Sequence, residues 1–452
     1  MSKSTAEKIG SYRWLIIALL LFSTTVNYMD RNVISFLKQY FCSTEGFGWT
    51  PLQFSYVTTL FTVFYAVSTI VVGAIIDRIG TKLGLAFSLI IWSVFGMLNA
   101  IAGKTVALHV IIRSLFGLGE AGNFPGSIKT VAEWFPKKER ALATGIFNSG
   151  SNLGAMISAL LVPFCLSYFG AALGWKMAFI ITGGVGLIWL IFWFWIYDTP
   201  SKLKAKGILS ASEYDYIHSD KDEQLIELRD ADSDTAKVSW FKLLTYKQTW
   251  SFFFGKFMTD GIWWFFLFWT PDYLKQQFNL TPVVQGYLYF IILGIAIFGS
   301  VFGGSIPMFF MNKGWQTYKA RMTSMLMIAF VPLLILSTQF FANEAVFGKT
   351  LAVTLAVSIL CLCAAAHQAW SANLFTTVSD MFPKKAVGSV TGIGAAAGGL
   401  GGALIQLLAG ALNTYFPTRA YFILFIICGL SYLIAWSIMK VLVPRHTVIT
   451  DL

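Results

Sequence analysis

Charge is what this chain has least of. Only 12% of its 452 residues are Asp, Glu, Lys or Arg, about half the share of an average globular domain at ~25%. That excludes an ordinary water-soluble protein. Cysteine is also scarce. The five present (Cys42, Cys165, Cys361, Cys363 and Cys428) sit in or beside apolar runs. They show neither metal-ligand spacing nor a disulfide framework, and read as small buried hydrophobes. No nucleophile–base set appears. The glycine-rich stretch 395–402 is not followed by Gly-Lys-Ser/Thr, so it is not a phosphate loop. Nothing points to an enzyme, and no cofactor or metal is expected.

Apolar sequence is abundant instead. Hydrophobic residues make up 56% of the chain and mean hydropathy is +0.67. Apolar runs long enough to cross a bilayer, at least ~18 residues, recur along nearly the whole length. Breaking the chain at charges, Pro and Gly predicts about twelve helical spans, near 14–37, 52–76, 83–103, 106–133, 141–169, 174–197, 248–276, 283–311, 319–341, 349–379, 387–414 and 419–443. The first run ends in Asp-Arg without a small-residue cleavage site, and is expected to be a retained span rather than a signal peptide.

The net charge of +11 does not call for nucleic acid. Its basic residues cluster in alternate loops: Asp77-Arg78 with Lys82, Lys137-Lys138-Glu139-Arg140, Lys313 to Arg321, and Lys384-Lys385. The loops between them are poor in positive charge. By the positive-inside rule both termini are expected in the cytoplasm. Residues 198–247 break the pattern with mixed acids and lysines, and read as a cytoplasmic linker between a bundle at 1–197 and another at 248–452. The two halves are related. Residues 133–155 and 380–402, offset by 247, share Phe-Pro-Lys-Lys, Thr-Gly-Ile and Leu-Gly. The inferred orientation is the same in both, so this is a parallel repeat, which places a substrate near the midplane between halves. The offset aligns Glu120 with His367 and Asn123 with Trp370.

Fixed charge inside spans is costly, at least ~3 kcal/mol per residue on insertion scales, and marks functional sites. Asp30 and Arg31 lie inside the first span; Arg113 and Glu120 lie inside the fourth. Arg113 and Glu120 are seven residues apart and share one helix face, about 10 Å apart along the axis. Asp30 and Glu120 fall at similar depth. Arg31 is their natural partner, and Arg113 can reach Asp30 or snorkel outward. Protonating Asp30 or Glu120 would free an arginine to hold a carboxylate through a planar fork; a static ion-pair lock is the plainer alternative. Lys256 and Asp260, at i and i+4 in the seventh span, can pair on one face, or Lys256 can snorkel. Tyr28, Tyr65, Asn148, Ser151, His367, Gln368 and Trp370 are placed to offer hydroxyl-binding groups and an aromatic platform. Trp263, Trp264 and Trp269 suit lipid-facing or core packing. Asp77, Arg78, Lys82, Glu139 and Arg140 stand at helix ends, where they would lock loops in one state and release them in another.

Gly73-Ala-Ile-Ile-Asp77-Arg78-Ile-Gly80-Thr-Lys82 resembles the loop motif G-x-x-x-D-R-x-G-x-K of the major facilitator superfamily. The segments Tyr28-Met-Asp30-Arg31-Asn32, Arg113 to Glu120 with Phe124-Pro125, Glu133-Trp134-Phe135-Pro136 with Glu139-Arg140, and Asp198-Thr-Pro200 resemble its anion:cation symporters of sugar acids. Ala366-His367-Gln368-Ala369 and Lys256 with Asp260 are most similar to bacterial hexuronate transporters. The resemblance implies an all-α membrane fold of two six-helix bundles. It also implies Asp30 and Glu120 as proton sites, Arg31 as carboxylate anchor and Trp264 as the inward aromatic. The glycine-rich segment lacks the side-chain amide that sugar-acid symporters often carry near Ala395, so Gln368 or Lys256 would meet the hydroxyls, which favours hexuronates over aldonates. The expected protein is a monomeric, proton-coupled importer of an organic anion in a bacterial inner membrane. The competing readings are an aldonate or other organic-anion symporter and an organophosphate:phosphate antiporter; a membrane-embedded sensor is disfavoured by the absence of an output domain in the linker.

Overall fold

The computed structural model describes residues 10–219, 240–382, 384–445 and Ile449. Among them every regular element is a helix. In the amino-terminal half they are α1 (Tyr12–Cys42), α2 (Pro51–Ile79), α3 (Thr81–Leu98), α4 (Val106–Glu120), α5 (Asn123–Trp134), α6 (Lys137–Tyr168) and α7 (Ala171–Ile196). Three short helices follow, α8 (Pro200–Ala205), α9 (Ala211–Ile217) and α10 (Trp240–Leu243). The carboxy-terminal half holds α11 (Lys247–Phe278), α12 (Pro282–Gly303), α13 (Ser305–Asn312), α14 (Thr317–Phe330), α15 (Lys349–Met381), α16 (Lys384–Tyr415) and α17 (Ala420–Leu442).

Helix therefore covers each of the twelve expected intervals. Eight stretches are long and apolar enough to cross a membrane on their own among the described residues. The first, second, fourth and seventh spans fall outside that set; the first and seventh carry Asp30, Arg31, Lys38, Lys256, Asp260 and Asp272, and the fourth carries Arg113 and Glu120. Local chemistry explains the ends. Thr50 and Gln53 form a reciprocal capping box at the start of α2, with Pro51 in the first turn, where its missing N–H costs nothing.

Four spans expected as single helices are not uniform: the third ends in a 3₁₀ turn, Asn99–Ile101, and three others are interrupted. The fourth breaks at Ala121-Gly122, between α4 and α5. Pro125 cannot donate to the carbonyl four residues back, and a Cβ on Gly122 would collide with the Ser88 hydroxyl. The eighth divides into α12 and α13 near Gly304. The ninth passes from α14 into a 3₁₀ segment, Val331–Ser337, at Pro332.

Packing repeats between the halves. In the first, α1 lies along α6, α2 along α4, and α3 along α7. In the second, α11 lies along α16, α12 along α15, and α14 with its 3₁₀ extension along α17. These are the same pairings displaced by six spans. Across the halves α2 packs on α16 and α12 packs on α6, the pair expected of a pseudo-two-fold. Glycine makes such approach possible: a Cβ at Gly401 would strike the carbonyl of Phe257, and small residues let membrane helices touch through their backbones.

Successive spans alternate in direction, so the start of α1 and the end of α17 share one face. On that face Glu213 of α9 accepts from the backbone amides of Tyr12 at 3.2 Å and Arg13 at 3.0 Å, and so caps α1. Arg13 also donates to Glu139 at 3.0 Å and to Glu213 at 3.2 Å. The described part of the linker is thus fastened to the amino-terminal half.

Candidate functional site

A cavity of about 210 Å³ lies between the halves, lined by side chains of α1, α5, α6, α11 and α15. Two of its lining residues carry charge. Lys256 Nζ meets Asp260 Oδ2 at 2.5 Å, one turn apart on α11, and stands 4.4 Å from the Phe375 ring. Asp260 fits because residue 398 is glycine; a Cβ there would collide with its carboxylate. A larger pocket of about 570 Å³ exists elsewhere, between α6 and α12, but its walls are mainly apolar and carry no charge, so it lacks the chemistry for a polar anion.

Behind one wall sits a second ion pair. Arg31 Nε donates to both Glu120 oxygens, at 3.2 and 3.1 Å, and the two side chains are 3% and 0% exposed. The Arg31 guanidinium is enclosed by aromatic faces: Tyr28 at 4.4 Å, Tyr65 at 4.5 Å, Trp264 at 5.2 Å and Phe61 at 5.8 Å. Stacking suits this weakly hydrated planar cation. Tyr28 lines the cavity and covers Arg31 at once. The Tyr28 ring therefore stands between the guanidinium and the cavity.

Asp30 points elsewhere. Neither of its carboxylate oxygens has a hydrogen-bond partner. A Cβ on Gly96 of α3 would lie 3.9 Å from Oδ1, and Thr182 of α7 is a polar neighbour whose hydroxyl donates to the Phe179 carbonyl at 3.4 Å. Arg113 reaches the backbone carbonyl of Asp30 at 3.5 Å, not its carboxylate, and lies over Phe116 and Phe179. Its Nε and Nη2 have no partner. Asp30 and Arg113 thus lie buried between α1, α3, α4 and α7, beside the Arg31–Glu120 pair and in electrostatic contact with it, with no hydrogen bond to it.

The remaining expected residues divide. Asn148, Ser151, His367 and Gln368 line the cavity. His367 Nδ1 is 2.8 Å from the Tyr432 hydroxyl, and its ring stacks on Trp263 at 4.7 Å. Gln368 accepts from Ser300 at 3.3 Å. Trp370 is fully buried against Tyr432 at 5.6 Å and is not in the cavity wall. Tyr65 and Trp264 face Arg31 rather than the cavity. Of the helix-end residues, Lys82 is 3.6 Å from Asp198 and Arg78 is exposed. The Asp198 carboxyl also accepts from Lys206 at 3.0 Å. Burial works against its charge, but Lys206, the Thr199 amide and Lys82 outweigh it and hold the carboxyl below the usual range. Glu139 accepts from Arg13 and Tyr216. The side chains of Asp77 and Arg140 lie outside the described residues.

Sequence reasoning missed two features. Trp263 is part of the cavity wall; it stands seven residues after Lys256 and three after Asp260, a helical spacing that would have placed it on their face. The other is a seal on the face opposite the chain ends. Lys38 of α1 is 1% exposed and pairs with Asp272 of α11, 4.0 Å from the Trp269 ring. Asp272 also accepts from Tyr421 and, at 2.9 Å, from Gln276. Gln39 bonds Gln285, and the Leu52 amide donates to Thr414 at 2.8 Å. The halves are closed there.

The sequence profile of the Major Facilitator Superfamily matches residues 20–404. The chain belongs to that superfamily. Among its superfamily relatives, the hexuronate transporter of Escherichia coli (strain K12) is 29% identical over 437 residues, 96% of this chain and 95% of the relative. The D-galactonate transporter of Escherichia coli O6:H1 is 28% identical over 412 residues, 90% of each. The galacturonate transporter of Dickeya chrysanthemi is 31% identical over 310 residues, 67% of this chain and 84% of the relative. Among solved folds of the superfamily, a D-xylose-proton symporter superposes with a TM-score of 0.72 at 15% identity, covering 97% of this chain and 100% of the other. An inward-facing bacterial homolog of the human lysosomal transporter Spinster gives 0.71 at 18%, covering 96% and 97%. The chain is a multi-pass membrane transporter of this superfamily, similar to carriers of small organic anions.

Breaking the Lys38–Asp272 seal gives a direct check on how the halves close. Removing one partner of a buried pair costs about 3–5 kcal/mol, because the other charge is left without compensation. Lys38→Met should therefore shift the population away from the closed seal. Cysteines at Gln39 and Gln285 should cross-link at least severalfold more slowly in that background than in the parent. An unchanged rate would show that the pair does not hold the halves together.

Proposed function

We propose that the protein is a proton-coupled symporter of a hexuronate such as glucuronate or galacturonate, working by alternating access in a bacterial inner membrane with both termini in the cytoplasm. The observation that carries this reading is the pair of buried ion pairs at the interdomain cavity, Lys256–Asp260 in its wall and Arg31–Glu120 behind Tyr28. Each presents a cation already matched by an acid. A carboxylate substrate can take the cation only if the acid is neutralised, and a proton does that. Arg31 offers a bidentate fork to the substrate carboxylate. Asn148, Ser151, Gln368 and His367 offer donors and acceptors for hydroxyls, and Trp263 an apolar face for the sugar ring. Asp30, buried and without a hydrogen-bond partner for either carboxylate oxygen, suits a second proton position. The similarity to hexuronate and galacturonate carriers supports the substrate class.

The seal at Lys38–Asp272, taken with a positive-inside orientation, supports reading this as an inward-facing state. The bundles 1–197 and 248–452 would rock about the site, with Asp77, Arg78, Lys82, Glu139 and Arg140 as the cytoplasmic latch of the opposite state. Similarity to a D-galactonate carrier keeps an aldonate as the second reading.

Purified protein in proteoliposomes, given an inward proton gradient, should accumulate radiolabelled glucuronate or galacturonate, and a protonophore should abolish the accumulation. Faster accumulation of galactonate would move the substrate to the aldonates. Exchange of glucose-6-phosphate driven only by internal phosphate would overturn the proposal.

A further inference from the structure

A third cavity, of about 390 Å³, opens between the start of α14 and the end of α17, on the face of the chain ends, and shares no lining residue with the interdomain site. Its wall holds three cations, Lys319, Lys440 and Arg445, and no acid. Among the described residues none of the three makes an ion pair. Lys319 lies 4.6 Å over the Trp315 ring, and Lys440 donates to the Pro444 carbonyl at 2.8 Å. The first turn of α14 adds to this charge. Gln316 caps it without a side-chain bond, so its leading amides point outward with the positive end of the helix dipole.

Beyond Gln316, Tyr318 and Thr323, the wall is apolar and runs along the helices through Met322, Leu326 and Trp436. Trp436 is anchored by its Nε1, which donates to the Met322 carbonyl at 2.8 Å. Beside it Met327, Phe330 and Val441 are 53%, 54% and 79% exposed, an apolar surface that only lipid can cover in a membrane-spanning chain. A cationic mouth above an apolar floor, at the end of two spans and next to tryptophans, matches one kind of ligand: a phosphate headed by charge and followed by acyl chain.

We propose that this cavity binds the headgroup of an anionic phospholipid from the leaflet on the chain-end side. The phosphate would sit among Lys319, Lys440, Arg445 and the α14 amides, with a chain along Met322 and Leu326. Such a lipid would tie α14 to α17 on the periphery of the carboxy-terminal half.

The test uses the full-length protein in phosphatidylcholine nanodiscs containing a few per cent spin-labelled phosphatidylglycerol, reading the motionally restricted fraction. The protein should hold phosphatidylglycerol in preference to labelled phosphatidylcholine. Each neutralisation, Lys319→Gln, Lys440→Gln or Arg445→Gln, should lower that preference about fivefold, with sugar-acid uptake sites untouched. Lys319→Arg with Lys440→Arg should keep it, which serves as the readout if a Gln variant fails to fold. Equal retention by the folded Gln variants would overturn the proposal. Displacement of the lipid by millimolar inorganic phosphate would also overturn it, by assigning the pocket to a soluble anion.

Discussion

Replacing Arg31 with glutamine is expected to lower both thermal stability and uptake, and replacing Glu120 as well should return only the first. Arg31 and Glu120 are 3% and 0% exposed, so Arg31→Gln strands a carboxylate in a dry interior at a cost of about 3–5 kcal/mol. The same change leaves the faces of Tyr28, Tyr65 and Trp264 without their cation, at about 0.5–2 kcal/mol for such stacking. Melting should fall by several degrees. In Arg31→Gln with Glu120→Gln two amides replace two charges, no uncompensated ion remains, and melting should recover most of the loss. Transport behaves differently if Arg31 anchors the substrate carboxylate, because the double variant has no cation to offer there. Uptake should be down about a hundredfold in both, the range set by losing one member of a buried charge pair. A double variant that transports as well as the parent would reduce the pair to a structural tie between α1 and α4.

The same two residues show what the sequence could and could not reveal. Span positions and the repeat were legible because hydropathy and charge are properties of consecutive residues. Helix covers all twelve expected intervals, and the Arg31–Glu120 pairing followed from matching depth. Adjacent residues on a helix, however, point about 100° apart. Asp30 therefore cannot share the face of Arg31, and it turns toward Gly96 and Thr182 instead. Arg113 does reach Asp30, as its place one span away suggested, but at the backbone carbonyl, an atom that span depth alone does not single out. Nothing in the sequence sets Lys38 apart, since a lysine near a span end usually snorkels. Its partner is Asp272, 234 positions away, and only the docking of α1 against α11 brings them together. The break at Ala121-Gly122 was hidden because Gly-rich helices and Gly-rich breaks read alike; the Ser88 hydroxyl that fills the space belongs to another span.

Asp30→Asn should separate coupling from binding. Neither Asp30 oxygen is bonded within the protein, and Asn has nearly the same shape as the protonated acid. The substitution removes at most a weak contact with the Thr182 hydroxyl and leaves Arg113 on the backbone carbonyl. Melting should stay close to that of the parent, in contrast to Arg31→Gln. Substrate exchange across the membrane at equal concentrations should also persist, since the cavity wall does not include residue 30. Accumulation against a gradient is the step that should fail. Each pH unit is worth about 1.4 kcal/mol per proton, enough for about tenfold accumulation if one proton travels with each sugar acid. A carrier fixed in the protonated-like form cannot release that proton on the inner side, so the ratio should fall toward one while exchange continues. Accumulation equal to the parent's would show that the proton travels without Asp30, and would leave Glu120, through its competition with substrate for Arg31, as the site of coupling.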